Sequence, residues 1–306
     1  PTGGDRRTTP HPPCCRSRGG RRPGGRRRWA IVTDGTVLVI AHEATLTGSP
    51  RVLHGLLSCA TGLWRHPVAV RLLPAGPLAP ALTSHTTAAD PDRRPAVALV
   101  NSAPGAAAGG DLGDSAPVLV YVHEQGRALD ELAPAARRVL TDRAARILAV
   151  SPGSVDDLVA LGVDRRRVAL LPPAVTTRPP STDEVSRIRS ELAPDGGPLV
   201  VGCGEAGWRK GTDLFLQVAA SIRSRHDARF VWVGRRTRSW TRWLDHERRL
   251  LGLDAAVTFT GLVPDAGGHL AAGDLLLHAS REDPNPLVPL EAGLLGDVPD
   301  RLGGER

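Results

Sequence analysis

Short apolar runs recur along the chain from residue 36 onward, and their brevity is what most restricts the fold. Residues 36–42, 67–73, 96–101, 116–124, 146–150 and 168–171 form one series, and 198–202, 228–234, 257–261 and 274–280 a second. Each is dominated by valine, leucine, isoleucine and alanine and is too short for a buried helix. Most lack the polar alternation of a strand wetted on one face. Helical patterns fall between them at 52–64, 137–145, 152–161, 213–225 and 240–251. Buried strands alternating with helices read as α/β, with parallel sheets covered on both faces. Residues 103–113 read as a loop, and 74–95 carries no assignable pattern.

Residues 172–197 repeat Pro, Thr and Asp around one short helical piece and read as a link. The expected organisation is a disordered basic tail over 1–35, a Rossmann-like domain over 36–176, the link over 177–197 and a second Rossmann-like domain over 198–306. A chain of 306 residues gives each domain room for a core of its own.

A formal charge of +7 would ordinarily raise nucleic acid as a partner. Residues 1–28 hold nine arginines against one acid, so the excess charge sits there and the remainder is nearly neutral. No nucleic acid is expected, because this head has no aromatic residues for base stacking. No apolar run approaches the ~18 residues of a membrane span, and no signal-peptide pattern opens the chain, so a cytoplasmic protein is expected. The cysteines Cys14, Cys15, Cys59 and Cys203 have neither zinc nor disulfide spacing, and Cys59 and Cys203 read as buried small hydrophobes.

The chemistry concentrates in residues 280–296. A buried strand is followed by Asp283-Pro284-Asn285-Pro286 and then by an apolar helical pattern from Leu287. The helix starts either with Asn285 as N-cap and Pro286 first, or one residue later, which frees Pro289 from forfeiting a hydrogen bond. Either start leaves the amides of Leu287 and Val288 as free donors at the positive end of a helix, which suits a phosphate. Glu291 falls on the same face as Leu287 one turn on, placed for the two hydroxyls of a ribose. Asp283, in the turn, is placed for the hydroxyls of a sugar. Taken singly, acidic residues at a helix start serve equally well as complements to the dipole.

These words, together with others along the chain, resemble the group 1 (family 4) retaining glycosyltransferases. The spacing of Asp283 and Glu291 is similar to that family's glutamate-x7-glutamate signature, with aspartate at the first acid. Arg209-Lys210-Gly211 is similar to its basic element, and Lys210 is the only lysine in the chain. Residues 42–51 resemble its first loop, with Gly48 as the glycine, a residue the turn itself would equally require. Val122-His123-Glu124 resembles the strand end that lies near the transferred sugar, and Val257-x-Phe259-x-Gly261 its nucleobase edge. The arginine that many members carry just after the first strand of the second domain is replaced here by Cys203 or Gly204.

The resemblance implies a GT-B fold of two Rossmann-like domains facing across a cleft, and transfer of a sugar from a nucleotide diphosphate to an acceptor hydroxyl with retention. It implies that Arg209, Lys210 and the amides at Leu287 and Val288 neutralise the diphosphate. Gly48 would let the backbone approach the donor, Glu291 would hold the ribose, Asp283 the donor sugar, and His123 the region of transfer. Neither metal nor cofactor is expected. The partners are the nucleotide-sugar donor and a hydroxyl of a glycan, lipid or small molecule, with peripheral membrane contact open. Members continue beyond the equivalent of Gly296 with a further strand and helices, so the second domain is expected to be truncated.

Two other readings stand beside it. Gly202, Gly204 and Gly207 spell Gly-x-Gly-x-x-Gly, which with Arg235 or Arg236 would suit an NADP-dependent oxidoreductase. A truncated chain would alternatively be an inactive remnant or a binding module.

Overall fold

The structure, a computed structural model, describes residues 35–60, 64, 66–87 and 94–296. The expected tail lies outside these except for Gly35, and so do Cys14, Cys15 and residues 297–306.

The first series of apolar runs forms a six-stranded sheet in the order β2-β1-β3-β4-β5-β6. Its strands are β1 Val37–Ala41, β2 Val68–Leu72, β3 Val97–Asn101, β4 Val118–Val122, β5 Arg146–Ala149 and β6 Val168–Leu170. Every pairing is parallel. Alternate residues go to opposite faces, as the strand period requires. Val118, Val120 and Val122 join Ile40, Val100 and Ile147 in one core, whereas Leu99 and Tyr121 pack with Val52 and Val150 on the other face.

Helices cover both faces: α1 Gly48–Ala60, α2 Ala79–Thr83, α3 Ala106–Gly110, α4 Arg127–Asp130, α5 Pro134–Arg138 and α6 Pro152–Ala160. Helix α6 starts as its sequence directs, with Pro152 in the first turn and the Ser151 hydroxyl accepting from the Ser154 amide at 3.1 Å. Ser151 and Ser154 are buried, so no water replaces that bond. Ser151→Ala is therefore expected to cost about 1–2 kcal/mol, the upper half of the range for a lost cap. Chemical denaturation checks this, with a lower midpoint and an unchanged slope expected.

After α7, Thr182–Leu192, the second series forms a four-stranded parallel sheet in the order β10-β7-β8-β9. Its strands are β7 Leu199–Cys203, β8 Arg229–Val233, β9 Val257–Gly261 and β10 Leu275–Leu276, with helices α8 Thr212–Arg223, α9 Arg238–Leu250, α10 Gly267–Ala272 and α11 Leu287–Gly296. Trp232, wholly buried, packs edge-on against Phe215 at 5.1 Å between centroids. Gly202 is what makes room for them, since a Cβ there would come within 2.6 Å of Trp232.

Several sequence expectations need correction. Residues 48–51 are the first turn of α1 and not loop, because Ser49 and Pro50 both suit a helix start. The expected loop over 103–113 contains α3, an Ala-Gly helix of five residues too short to show periodicity. The link expected over 177–197 contains the 11-residue α7, whose Val185 and Ile188 are buried with Leu199, Val201 and Leu270, so α7 belongs to the second core. Cys59 is exposed, on the outer face of α1. Cys203 is half-buried, and burial pushes its thiol up to about 11.

The sequence order reverses beside β1 in the first sheet and beside β7 in the second. Crevices outside the carboxyl ends of parallel strands form at such switch points.

Candidate active site

A cavity of about 550 Å³ opens where the carboxyl ends of the two sheets meet. Gly48, His123, Arg209, Lys210, Asp283, Leu287, Val288 and Glu291 all line it. Six of them come from the loop after β7 and from the turn and helix after β10, in the second sheet's half, and Gly48 and His123 come from the first.

On the second sheet, the loop after β7 is shaped by glycines in conformations that other residues rarely adopt. Gly204 has φ +138° and Gly211 φ +65°. A Cβ on Gly211 would lie 1.9 Å from the Ala279 carbonyl oxygen, so this loop passes directly against the chain leaving β10. The Arg281 guanidinium fastens the same contact through two hydrogen bonds to Asp213, at 2.7 and 2.6 Å. The two loops are thus fastened to one another. Lys210 lies along Gly204, and its ammonium pairs with Asp283. Arg209 stands 3.7 Å from the other Asp283 oxygen and donates to the Glu282 carbonyl at 3.1 Å.

Helix α11 starts at Leu287, the later of the two expected starts. The amides of Leu287 and Val288 are in its first turn, where no preceding turn supplies a carbonyl, and Pro289 has no N–H to offer. Glu291, one turn on, is only 6% exposed. Its partner is Arg51 of α1, whose guanidinium is 3.4 Å from Oε1.

Gly48 faces Leu287 as the first residue of α1. A Cβ there would meet Leu287 at 3.6 Å, ordinary contact, and its φ is not positive. The backbone does not require glycine at this position, so the turn explanation fails.

On the first sheet, polar groups gather at the ends of β1, β3 and β4. His123 Nε2 lies 2.9 Å from Asn101 Oδ1, and the Asn101 amide donates to Ser49 Oγ at 2.8 Å and to the Ser49 carbonyl at 3.2 Å. Ser102, with φ +88°, bonds His42 Nδ1 at 2.8 Å. Glu124 Oε2 accepts from the amides of Ala103 and His123, at 2.9 and 3.0 Å. Glu43 accepts from the hydroxyls of Thr45 and Thr47, both at 2.9 Å.

Burial lowers His123 to about 4 and raises Glu124 to about 7, since it disfavours the charged form of each. Their effects on stability oppose one another. Between about pH 4 and 6.5 the unfolded His123 binds more protons than the folded one, so its contribution grows with pH. Between about pH 4.5 and 7 the folded Glu124 holds more protons, so its contribution shrinks with pH.

The turn before α11 also reaches the first sheet. Asn285 Nδ2 donates to the Val150 carbonyl at 2.9 Å, and Leu287 packs against the cluster of Val52, Leu99, Tyr121 and Val150. Arg51 and Asn101 were not singled out in sequence, and Asn285 only as a helix cap. Arg51 lies three residues after Gly48 on the same helical face, a signal that becomes readable only once 48–51 is known to be helix.

The dinucleotide reading fares poorly. Gly202 is set by packing against Trp232, and Arg235 and Arg236 are engaged by Glu205 and Asp245. Gly207 lies well before α8 and not at its start.

Comparison with known proteins bears on the same halves. Residues 197–297 match the family model described as glycosyl transferases group 1. Over 159 residues the chain is 30% identical to alpha-galactosylglucosyldiacylglycerol synthase of Streptococcus pneumoniae, an alignment covering 49% of this chain and 42% of that protein. The chain thus spans less than half the length of that curated relative.

Among solved structures, Anabaena Alr3699/HepE in complex with UDP-glucose superposes with a TM-score of 0.71 at 17% identity, covering 86% of this chain and 79% of that one. The catalytic domain of starch synthase IV from Arabidopsis thaliana, bound to ADP and acarbose, gives 0.63 at 15% identity, with 86% and 82% covered. WaaG, a glycosyltransferase involved in lipopolysaccharide biosynthesis, gives 0.59 at 16% identity, with 85% and 79% covered. The two facing parallel sheets and these superpositions define the fold as GT-B. Among the described residues, no helix is long and apolar enough to cross a membrane.

Proposed function

We propose that the chain is a glycosyltransferase that moves a sugar from a nucleoside diphosphate to an acceptor hydroxyl, with retention at the anomeric carbon. The observation that carries this is the convergence, in one cavity, of a helix start, the cations Lys210 and Arg209, and the buried carboxylate of Glu291. The amides of Leu287 and Val288, with Lys210 and Arg209, take the diphosphate. They stabilise the charge that grows on it as the glycosidic bond breaks, which is the main electrostatic demand of the reaction. Glu291 keeps an oxygen for the ribose hydroxyls beside its pair with Arg51, because a carboxylate has about four acceptor sites. Asp283 orients the Lys210 ammonium and meets the donor sugar. Gly48 and His123 face the sugar from the first sheet.

The match to a synthase named for a glycosyldiacylglycerol supports a lipid-linked hydroxyl as the acceptor class, reached by peripheral contact with a membrane. Neither a metal nor a cofactor has a part in this proposal. Calorimetric titration of the folded protein with UDP, GDP, ADP and NADPH tests it. Binding of one nucleoside diphosphate is the expected result. Binding of NADPH alone, or of none of the three diphosphates, overturns it.

A further inference from the structure

The carboxyl end of β4 places His123 in the cavity wall, and the groups behind it decide which of its nitrogens carries the proton. The Ser49 carbonyl oxygen only accepts hydrogen bonds, so the Asn101 atom 3.2 Å from it is the amide NH2. The other Asn101 atom is then the oxygen. That oxygen, 2.9 Å from His123 Nε2, requires a proton on Nε2. A neutral imidazole with Nε2–H has an unprotonated Nδ1.

We propose that Asn101, anchored by Ser49 on the first turn of α1, is a positioning residue that holds His123 as the neutral Nε2–H tautomer, so that an unprotonated Nδ1 is offered to a substrate hydroxyl. The inference rests on the glycosyltransferase reading only for what fills the cavity. The tautomer follows from the hydrogen bonds alone. It means that His123 accepts a hydrogen bond from a substrate hydroxyl at Nδ1 and donates none there, its one N–H being given to Asn101, so a substrate with a methoxy group or a bare hydrogen at that point is disfavoured.

The surroundings favour the neutral ring. Tyr121 covers it, with ring centroids 4.2 Å apart, and burial lowers the affinity of His123 for a second proton. Glu124 is the adjacent titratable group on its own strand end, and its Oε2 is turned to the backbone amides of Ala103 and His123. From other elements the cavity adds Glu43 of the loop after β1, Arg51 of α1, and Lys210 with its partner Asp283. None of these is hydrogen-bonded to the imidazole.

Nitrogen-15 NMR of histidine-labelled protein, with His123 assigned by its loss in His123→Gln, reads the tautomer directly and without a ligand. The expected result is a protonated Nε2 and an unprotonated Nδ1 throughout pH 5–8, a range lying above the value of about 4. A protonated Nδ1 in the neutral ring, or an imidazolium at pH 7, overturns the proposal. In Asn101→Asp a carboxylate accepts the same Nε2–H and favours the charged ring, so the His123 titration is expected to rise by about 1–3 pH units. An unchanged titration in that variant, with the fold intact, removes Asn101 from the role. Should nucleoside diphosphates fail to bind while the tautomer is as stated, the functional reading falls and this one stands.

Discussion

Lys210→Ala is expected to reduce nucleoside diphosphate affinity and glycosyl transfer by about a hundredfold or more, the scale on which loss of one well-placed charge donor is felt. The geometry allows two reasons, and they are separable. Lys210 pairs with Asp283, whose side chain is 11% exposed, so removing the ammonium leaves a largely buried carboxylate to weaker partners, Arg209 and His278 at 3.7 Å and the Ser280 hydroxyl at 3.4 Å. Breaking one side of such a pair costs about 3–5 kcal/mol in its own right when burial is complete. Alternatively the ammonium neutralises the diphosphate, and the pair with Asp283 only aims it.

A double-mutant cycle decides between these. If the pair is purely structural, Lys210→Ala with Asp283→Asn removes both charges together, and affinity returns close to that of the parent. If Lys210 binds phosphate, the double variant stays as weak as Lys210→Ala. We expect the second outcome. Lys210→Arg should rescue little, because a broad planar fork cannot occupy the place of a compact ammonium whose stem lies along Gly204. Calorimetry supplies the affinities, and the melting temperature shows whether each variant remains folded.

Which parts of this site were legible in sequence follows from what local sequence can encode. The strands were readable because burial on both faces leaves valine and isoleucine runs with no polar alternation. The start of α6 was readable because Ser151-Pro152 satisfies a cap locally. The single lysine, Lys210, announced itself against a background of arginine. What escaped was set by tertiary contact. A short helical piece was readable amid the Pro, Thr and Asp of 172–197, but not that Val185 and Ile188 would seat it in the second core. Helix α3 has two glycines among its five residues and owes its form to Gly109 lying against Val100 and Val118. The pairing of Arg51 with Glu291 joins α1 to α11, residues 240 positions apart on different sheets, which no local pattern records. Asn101 read only as the last residue of a strand, since its meaning depends on Ser49 and His123 arriving beside it from two other elements.

Gly211→Ala is expected to be among the most damaging small substitutions in the second sheet's half of the protein, and a matched control isolates the cause. Gly211 and Gly252 have nearly the same backbone torsion, φ +65° and +66°. An added methyl meets nothing within 4 Å at Gly252, whereas at Gly211 it would sit 1.9 Å from the Ala279 carbonyl oxygen. The left-handed conformation therefore costs both variants the same, about 1 kcal/mol. Only Gly211→Ala adds a collision with backbone, which cannot swing away as a side chain would. We expect about 3 kcal/mol or more in total for Gly211→Ala, a fall in melting temperature of about 6–12 °C against about 2–4 °C for Gly252→Ala. The displacement must also reach the site. Moving Ala279 carries Ser280 to Asp283 away from Lys210, so Gly211→Ala should lose nucleoside diphosphate affinity at temperatures where it is still folded, and Gly252→Ala should not. Equal melting temperatures for the two variants would mean that the chain after β10 yields freely, and that the contact between the Lys210 loop and the Asp283 turn is not what holds the cation and the carboxylate in register.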